Sequence, residues 1–208
     1  MKLHEYEHII WDWNGTLFDD SALTLSIMNG MLLRRGNPTV SKEKYAELFD
    51  FPVRDYYELI GLDLNKYKFE DLSDEFIEEY YRRNRECPLR DGAEEILRGN
   101  NVPQSILTAS KQSDIDLLVV HFGLDGLFVG IKGLDNHHAA GKLKIGKNWV
   151  KELDIDPRKI LMVGDTTHDA DLAKELGMDC VLITSGHQSR ARLEKCSVPV
   201  IQDLQELI

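Results

Sequence analysis

The sequence predicts an α/β fold: a Rossmann-like parallel sheet core with helices on both faces and an inserted all-helical cap. Three observations predict it. A short apolar run from Glu7 to Trp13 contains Asp12 and meets the breaker pair Asn14-Gly15, as a buried strand entering a turn does. About 65 residues of helical periodicity follow, from Ser21 to Asn84, with no strand pattern inside them. After Cys87-Pro88, short apolar runs alternate with helical ones, as in a parallel sheet covered on both faces.

The elements can be placed in order. In the helical block the apolar positions are Leu23, Leu25, Ile27, Met28 and Met31-Leu32, then Phe76, Ile77, Tyr80 and Tyr81. Beyond it, Gly92 to Leu97 reads as a helix, Gln104 to Thr108 as a strand and Ser113 to His121 as a helix. Leu127 to Ile131 is the next strand and Asn148 to Leu153 the next helix. Ile160 to Val163, Asp169 to Leu176 and Cys180 to Thr184 continue as strand, helix and strand, and Val198 to Ile201 closes the set. The helical block interrupts the sheet pattern after its first strand and is therefore an insertion. The core takes residues 1–18 and 86–208, and the cap residues 19–85.

Bulk properties narrow the function. A chain of 208 residues suits a core with a small insertion and buries roughly 70% of its unfolded surface, so it needs no disulfide or structural metal. A net charge of −11 argues against nucleic acid or an anionic membrane as partner, since both are held by clustered Lys and Arg. Cys87, Cys180 and Cys196 are scattered and odd in number, which reads as reduced thiols in a cytoplasmic protein. No apolar run has the length of a membrane span or the form of a signal peptide.

In open parallel sheets, ligands bind beyond the carboxyl ends of the strands. Asp12 follows Ile9-Ile10, Thr108 follows Ile106-Leu107, and Asp165 follows Leu161-Met162-Val163-Gly164. The fold would gather these three at one edge. A carboxylate such as Asp12 can act as a nucleophile in phosphoryl transfer. Asp165 and Asp169, in Gly164-Asp165-Thr166-Thr167-His168-Asp169, would join it in a hard-oxygen cluster suited to Mg²⁺. Thr108 and the Ala109 amide can donate to a phosphate oxygen. A lysine is needed to offset phosphate charge, and Lys142, Lys144 and Lys147 are all available.

Taken together, Asp12-x-Asn14-Gly15-Thr16-Leu17, the strand-end Thr108, a lysine and Gly164-Asp165-x-x-x-Asp169 resemble the haloacid-dehalogenase superfamily of phosphatases over the whole chain. The cap position resembles that of phosphoglycolate-phosphatase-like members. The resemblance implies a small phosphorylated substrate, Asp12 as nucleophile, and Asp12, Asp165, Asp169 and the backbone carbonyl of Asn14 around Mg²⁺. It puts Thr16 and Ala109 at the substrate. It favours Lys142, twenty-three positions before Asp165, over Lys144, although no Lys-Pro pair marks the site.

Asn14 departs from the family, whose phosphatases have there a second Asp that exchanges a proton with the leaving oxygen. A carboxamide cannot do so. Four accounts follow: a leaving group able to depart unprotonated, a donor such as His168 or a cap residue, a different bond, or a weak enzyme or phosphate-binding protein. The third includes phosphonoacetaldehyde hydrolases, which need a cap lysine (Lys42, Lys44, Lys66 or Lys68) for a Schiff base. Halide displacement needs no Mg²⁺ and leaves Asp165 with Asp169 unexplained.

Weaker signals remain. His137-His138 lacks a third ligand at metal spacing. His168 reads as a solvent-facing turn residue whose acidic neighbours favour its charged form. Arg54 in the cap could reach a substrate carboxylate. Trp13 reads as packing against cap or core, and Gly186-His187, after the Cys180 to Thr184 strand, as loop or, less readily, as a lining of the site.

Overall fold

The computed structural model describes residues 2–135 and 142–207. The predicted His137-His138 pair lies outside the described residues.

Strand β1 (His8–Trp11) is buried along its length, because it pairs on both sides. After it come the cap helices α1 (Ser21–Arg34), α2 (Lys42–Leu48), α3 (Val53–Leu59) and α4 (Phe69–Arg83). The core resumes with α5 (Ala93–Gly99), β2 (Gln104–Lys111), α6 (Gln112–His121), β3 (Gly130–Leu134) and α7 (Lys142–Leu153). Strand β4 (Ile160–Gly164), α8 (Thr167–Leu176), β5 (Asp179–Ile183), the single turn α9 (Arg190–Leu193) and β6 (Val200–Ile201) complete it.

The sheet is parallel, with order β3-β2-β1-β4-β5-β6. The connections diverge on the two sides of β1, and crevices that bind ligands open at such switch points. Trp11 pairs with Ile106 of β2 and Val163 of β4, so the next residues of all three strands emerge at one edge.

Two apolar layers cover the sheet. One holds Ile9, Trp11, Ile106, Leu161, Val163 and Val181 with residues of α5 and α6. The other holds Ile10, Leu107, Met162, Cys180 and Leu182 with residues of α7 and α8. This split follows from the alternation of side chains along each strand. Trp13 belongs to the first layer, stacked on Phe18 at 5.5 Å between ring centroids.

The cap has an apolar centre of its own. Leu23, Ile27, Met28, Met31 and Leu32 of α1 pack on Tyr45, Tyr56, Tyr57 and Leu72 from the other three helices. Glu75 on α4 joins it to α1 through Arg34 and Arg35.

β2 runs on to Lys111, past its expected end at Thr108, and two elements start at other positions than the sequence suggests. β3 begins at Gly130 rather than Leu127, because Leu127 and Phe128 pack into the core before ladder pairing starts at Ser105–Gly130. α7 begins at Lys142, not Asn148. Gly146 reads as a breaker, but a Cβ there would sit 3.0 Å from Leu176 and 3.2 Å from Leu107, so glycine lets the helix lie close against its neighbours.

Candidate active site

A pocket of about 210 Å³ opens between the carboxyl edge of the sheet and the cap. Its floor is the predicted constellation. Asp12 follows β1 and is held by its own amide donating to the Val163 carbonyl at 2.9 Å. Asp165 follows β4, and Asp169 lies in the first turn of α8. All three are buried, and each offers a carboxylate oxygen within 4.8 Å of the others.

Lys142, at the start of α7, donates to Asp12 Oδ1 at 2.5 Å and to Asp169 Oδ1 at 2.7 Å. Asp169 Oδ2 accepts from the Thr166 hydroxyl at 2.8 Å and the Thr166 amide at 3.1 Å. That capping box binds Asp169 into the helix end as well as the cluster. Asp165 Oδ1 accepts from Thr16 Oγ1 at 3.2 Å, and Oδ2 from the His187 amide at 2.6 Å.

Two glycines make room for Asp165. A Cβ on either Gly15 or Gly186 would fall 2.2 Å from Asp165 Oδ2, and Gly15 also has φ +76°. Arg90 fixes the first of these loops by donating to the Gly15 carbonyl at 3.1 Å.

Of the three buried carboxylates in the cluster, Asp12 and Asp169 share the one Lys142 ammonium, so negative charge is in excess. Burial pushes Asp12 up to about 8, with Lys142 opposing and Asp169 adding to the rise. Burial likewise pushes Asp165 up to about 6, against His187. For Lys142, burial works against the charged form, but Asp12 and Asp169 overcome it and hold the ammonium protonated.

Thr108 is buried beside this floor. β2 runs on to Lys111, and its pairing with β3 shifts register between Leu107 and Lys111. Such irregularities re-aim side chains near functional sites. Ala109, Ser110 and Lys111 line the pocket as a result.

Asn14 sits where floor meets cap, and its carboxamide is fully engaged. Oδ1 accepts from Ser110 Oγ at 2.6 Å, while Nδ2 lies 2.8 Å from Asp20 Oδ2 and 2.7 Å from the Tyr80 hydroxyl. Tyr80 in turn donates to Asp20 at 2.6 Å. Asp20 pairs with His187 Nε2 at 3.2 Å, and His187 Nδ1 meets Tyr45 Oη at 2.6 Å. For His187, burial opposes charge, but Asp20 outweighs it and raises the imidazole to about 9. Burial also opposes ionisation of Asp20, and its ion pair with His187 overcomes this to lower the carboxyl.

The structure thus brings together Asp12, Asn14, Thr16, Thr108, Ala109, Lys142, Asp165 and Asp169. It does not bring Arg54. That side chain is exposed on α3, its guanidinium 5.8 Å from the centre of the Phe69 ring and outside the pocket lining. The helix turns Tyr56 and Tyr57 inward, which leaves Arg54 on the outer face. Lys42, Lys44, Lys66 and Lys68 are exposed and outside the lining as well, so none is placed for a Schiff base in the pocket.

Two histidines also refine the sequence reading. His168 is half-buried against Phe51, with ring centroids 5.2 Å apart, and burial followed by Lys142 lowers its pKa despite the acidic neighbours. His187 lies in a loop as expected and takes the less favoured of its two readings, a buried part of the pocket lining. Asp20, Tyr45, Tyr80 and Ser110 were not foreseen. His187 follows β5, so extending the strand-end rule to that strand would have found it.

Comparison with known proteins agrees with this geometry. The family model for haloacid dehalogenase-like hydrolases matches residues 9–183. A phosphoglycolate phosphatase from Synechococcus elongatus is 24% identical over 196 residues, covering 89% of this chain and 87% of its own. The tyrosine-protein kinase PtkA of Mycobacterium tuberculosis is 24% identical over 198 residues, 93% of this chain and 67% of its own. Among solved structures, a conserved haloacid dehalogenase-like protein of unknown function from Agrobacterium tumefaciens superposes with a TM-score of 0.83 at 21% identity, covering 97% of this chain and 96% of that one. With Asp12, the strand-end threonine, the lysine and the paired acids gathered on one sheet edge, the chain belongs to the haloacid dehalogenase-like hydrolase family.

Proposed function

We propose that the protein is a phosphoric monoester hydrolase that acts on a small phosphorylated metabolite through an aspartyl-phosphate on Asp12, with Mg²⁺ as cofactor. One observation carries the reading: a buried nucleophilic carboxylate on the pocket floor, held by an ammonium and facing two further carboxylates. The similarity to a protein named phosphoglycolate phosphatase supports the reaction class.

The donor set fits a hard divalent cation. Asp12, Asp165 and Asp169 are oxygen ligands, buried and short of positive charge, and the Asn14 carbonyl joins them by resemblance to the family. When bound, the cation would neutralise charge between Asp12 and the substrate phosphate.

The protein groups do the rest. Asp12 attacks phosphorus, the ester P–O bond breaks, and the leaving oxygen departs with its electron pair. Water then hydrolyses the acyl phosphate, releasing inorganic phosphate and regenerating Asp12. Lys142 orients Asp12 and offsets phosphate charge, while Thr108 and the Ala109 amide donate to the phosphate oxygens. Thr16 holds Asp165 and approaches Asp12 Oδ2 at 3.5 Å. The cap, which we place at residues 19–85 on a core of 1–18 and 86–208, closes the pocket from above. Cys87, Cys180 and Cys196 are free thiols, which supports a cytoplasmic setting.

The test is turnover of p-nitrophenyl phosphate. It should require Mg²⁺, stop with chelator and be lost in Asp12→Asn. Turnover that survives both chelator and Asp12→Asn removes the mechanism.

A further inference from the structure

We propose that the natural substrate is an aryl phosphate, a phosphoric monoester whose leaving group is a phenol-like oxygen on a flat apolar body. This deepens the phosphatase reading and rests on it.

Two independent observations point there. The first is the wall of the pocket. Above its charged floor, the cap lines it with Met28, Phe49, Phe51, Tyr56, Phe76 and Ile77. None of the cap residues in the lining is a lysine or arginine. A carboxylate on the leaving group would meet no cation from the cap, and Asp20, the charged cap residue in the lining, is already paired with His187, whereas an aromatic ring would bury its faces against other rings. Tyr56 carries a buried hydroxyl without a hydrogen-bond partner among the described residues, and a polar ring substituent would satisfy it.

The second observation is the fate of the protons on Asn14, Tyr80 and His187, which are linked through Asp20. Asn14 stands where a proton-exchanging acid is expected, and its amide hydrogens are taken by Asp20 and Tyr80. Tyr80 gives its own proton to Asp20. Both ring nitrogens of His187 are engaged, by Asp20 and Tyr45. The site is therefore built to release an oxygen that leaves as an anion. A phenol, with an ordinary pKa of about 10, does so far more readily than an aliphatic alcohol.

The experiment compares phenyl phosphate with cyclohexyl phosphate, similar in size but with a poor leaving group, in the Mg²⁺-loaded protein. The expected result is a kcat/KM at least 10³-fold higher for phenyl phosphate. Asn14→Asp should then raise cyclohexyl phosphate turnover by about 10²-fold or more, narrowing the gap. Phe76→Ala should raise KM for phenyl phosphate several-fold with little change in kcat, which a merely structural role would not produce. Equal turnover of the two esters overturns the proposal while leaving the phosphatase reading intact. So does fast cyclohexyl phosphate turnover that collapses in His168→Asn, since His168 would then be the missing donor. Absence of Mg²⁺-dependent turnover of either ester defeats the phosphatase reading itself.

Discussion

Two buried ionic groups meet at the pocket, and they are built on opposite terms. On the sheet side, Asp12 and Asp169 share one cation, Lys142, and Asp165 stands in the same cluster. On the cap side, Asp20 is matched by His187, and the remaining hydrogen bonds close through Tyr45, Tyr80 and Asn14. The first group is short of positive charge and therefore poised to take up a cation. The second is balanced and holds the loop, the cap and Asn14 in register. Burial makes both costly to disturb, but only the first should respond to metal.

The largest effect separates chemistry from structure. Asp12→Asn keeps the shape of the floor but removes the nucleophile, and should lower kcat by 10⁴-fold or more while phosphate binding persists. Measured kcat within about tenfold of the parent would place the nucleophile elsewhere.

The next pair of variants breaks the comparison directly. Lys142→Met removes the buried cation that pairs with Asp12 and Asp169, which should cost about 3–5 kcal/mol of stability in chelator, with much of it restored by millimolar Mg²⁺. Asp20→Asn strips the partner from a buried charged histidine and should cost about 2–4 kcal/mol, unaffected by Mg²⁺. Thermal unfolding with and without the metal reads both. Equal metal rescue of the two variants would show that the groups form one coupled unit.

The difference between the groups also explains what could be read from sequence. Asp12, Thr108 and Asp165 each sit at or just past an apolar run, so a rule about strand ends collects them without any knowledge of distance, and Asp169 comes with Asp165 in the same acidic segment. Asp20 pairs with His187 across 167 positions, and Tyr80 reaches Asn14 from 66 positions away. Those contacts depend on how the cap docks, which no local pattern encodes. Arg54 failed for the same reason: periodicity shows that α3 has two faces, but not which one looks into the pocket. The succession of strands and helices could be framed in advance, whereas the start of α7 could not, because Gly146 is a breaker by propensity and a packing residue in fact.

A third buried polar group, at the opposite end of β1, sharpens the contrast because it carries no charge. His8 Nε2 lies 2.8 Å from Ser105 Oγ, which also accepts from Trp149 Nε1 at 2.9 Å, and His8 Nδ1 has no partner among the described residues. A protonated ring would bury an N–H with nothing to receive it, so burial lowers the imidazole pKa to about 4. The unfolded chain, with an ordinary histidine near 6.5, binds this proton first as pH falls. Stability from His8 is therefore complete above about pH 6.5 and declines toward pH 4, by at most about 2 kcal/mol at pH 5. Denaturant titrations from pH 4.5 to 7 should show that slope reduced in His8→Phe, which keeps the Ser105–Trp149 bond. Unlike the carboxylate cluster on the pocket floor, this group should be indifferent both to Mg²⁺ and to phosphate, and a slope that changes with either would tie the far end of β1 to the site.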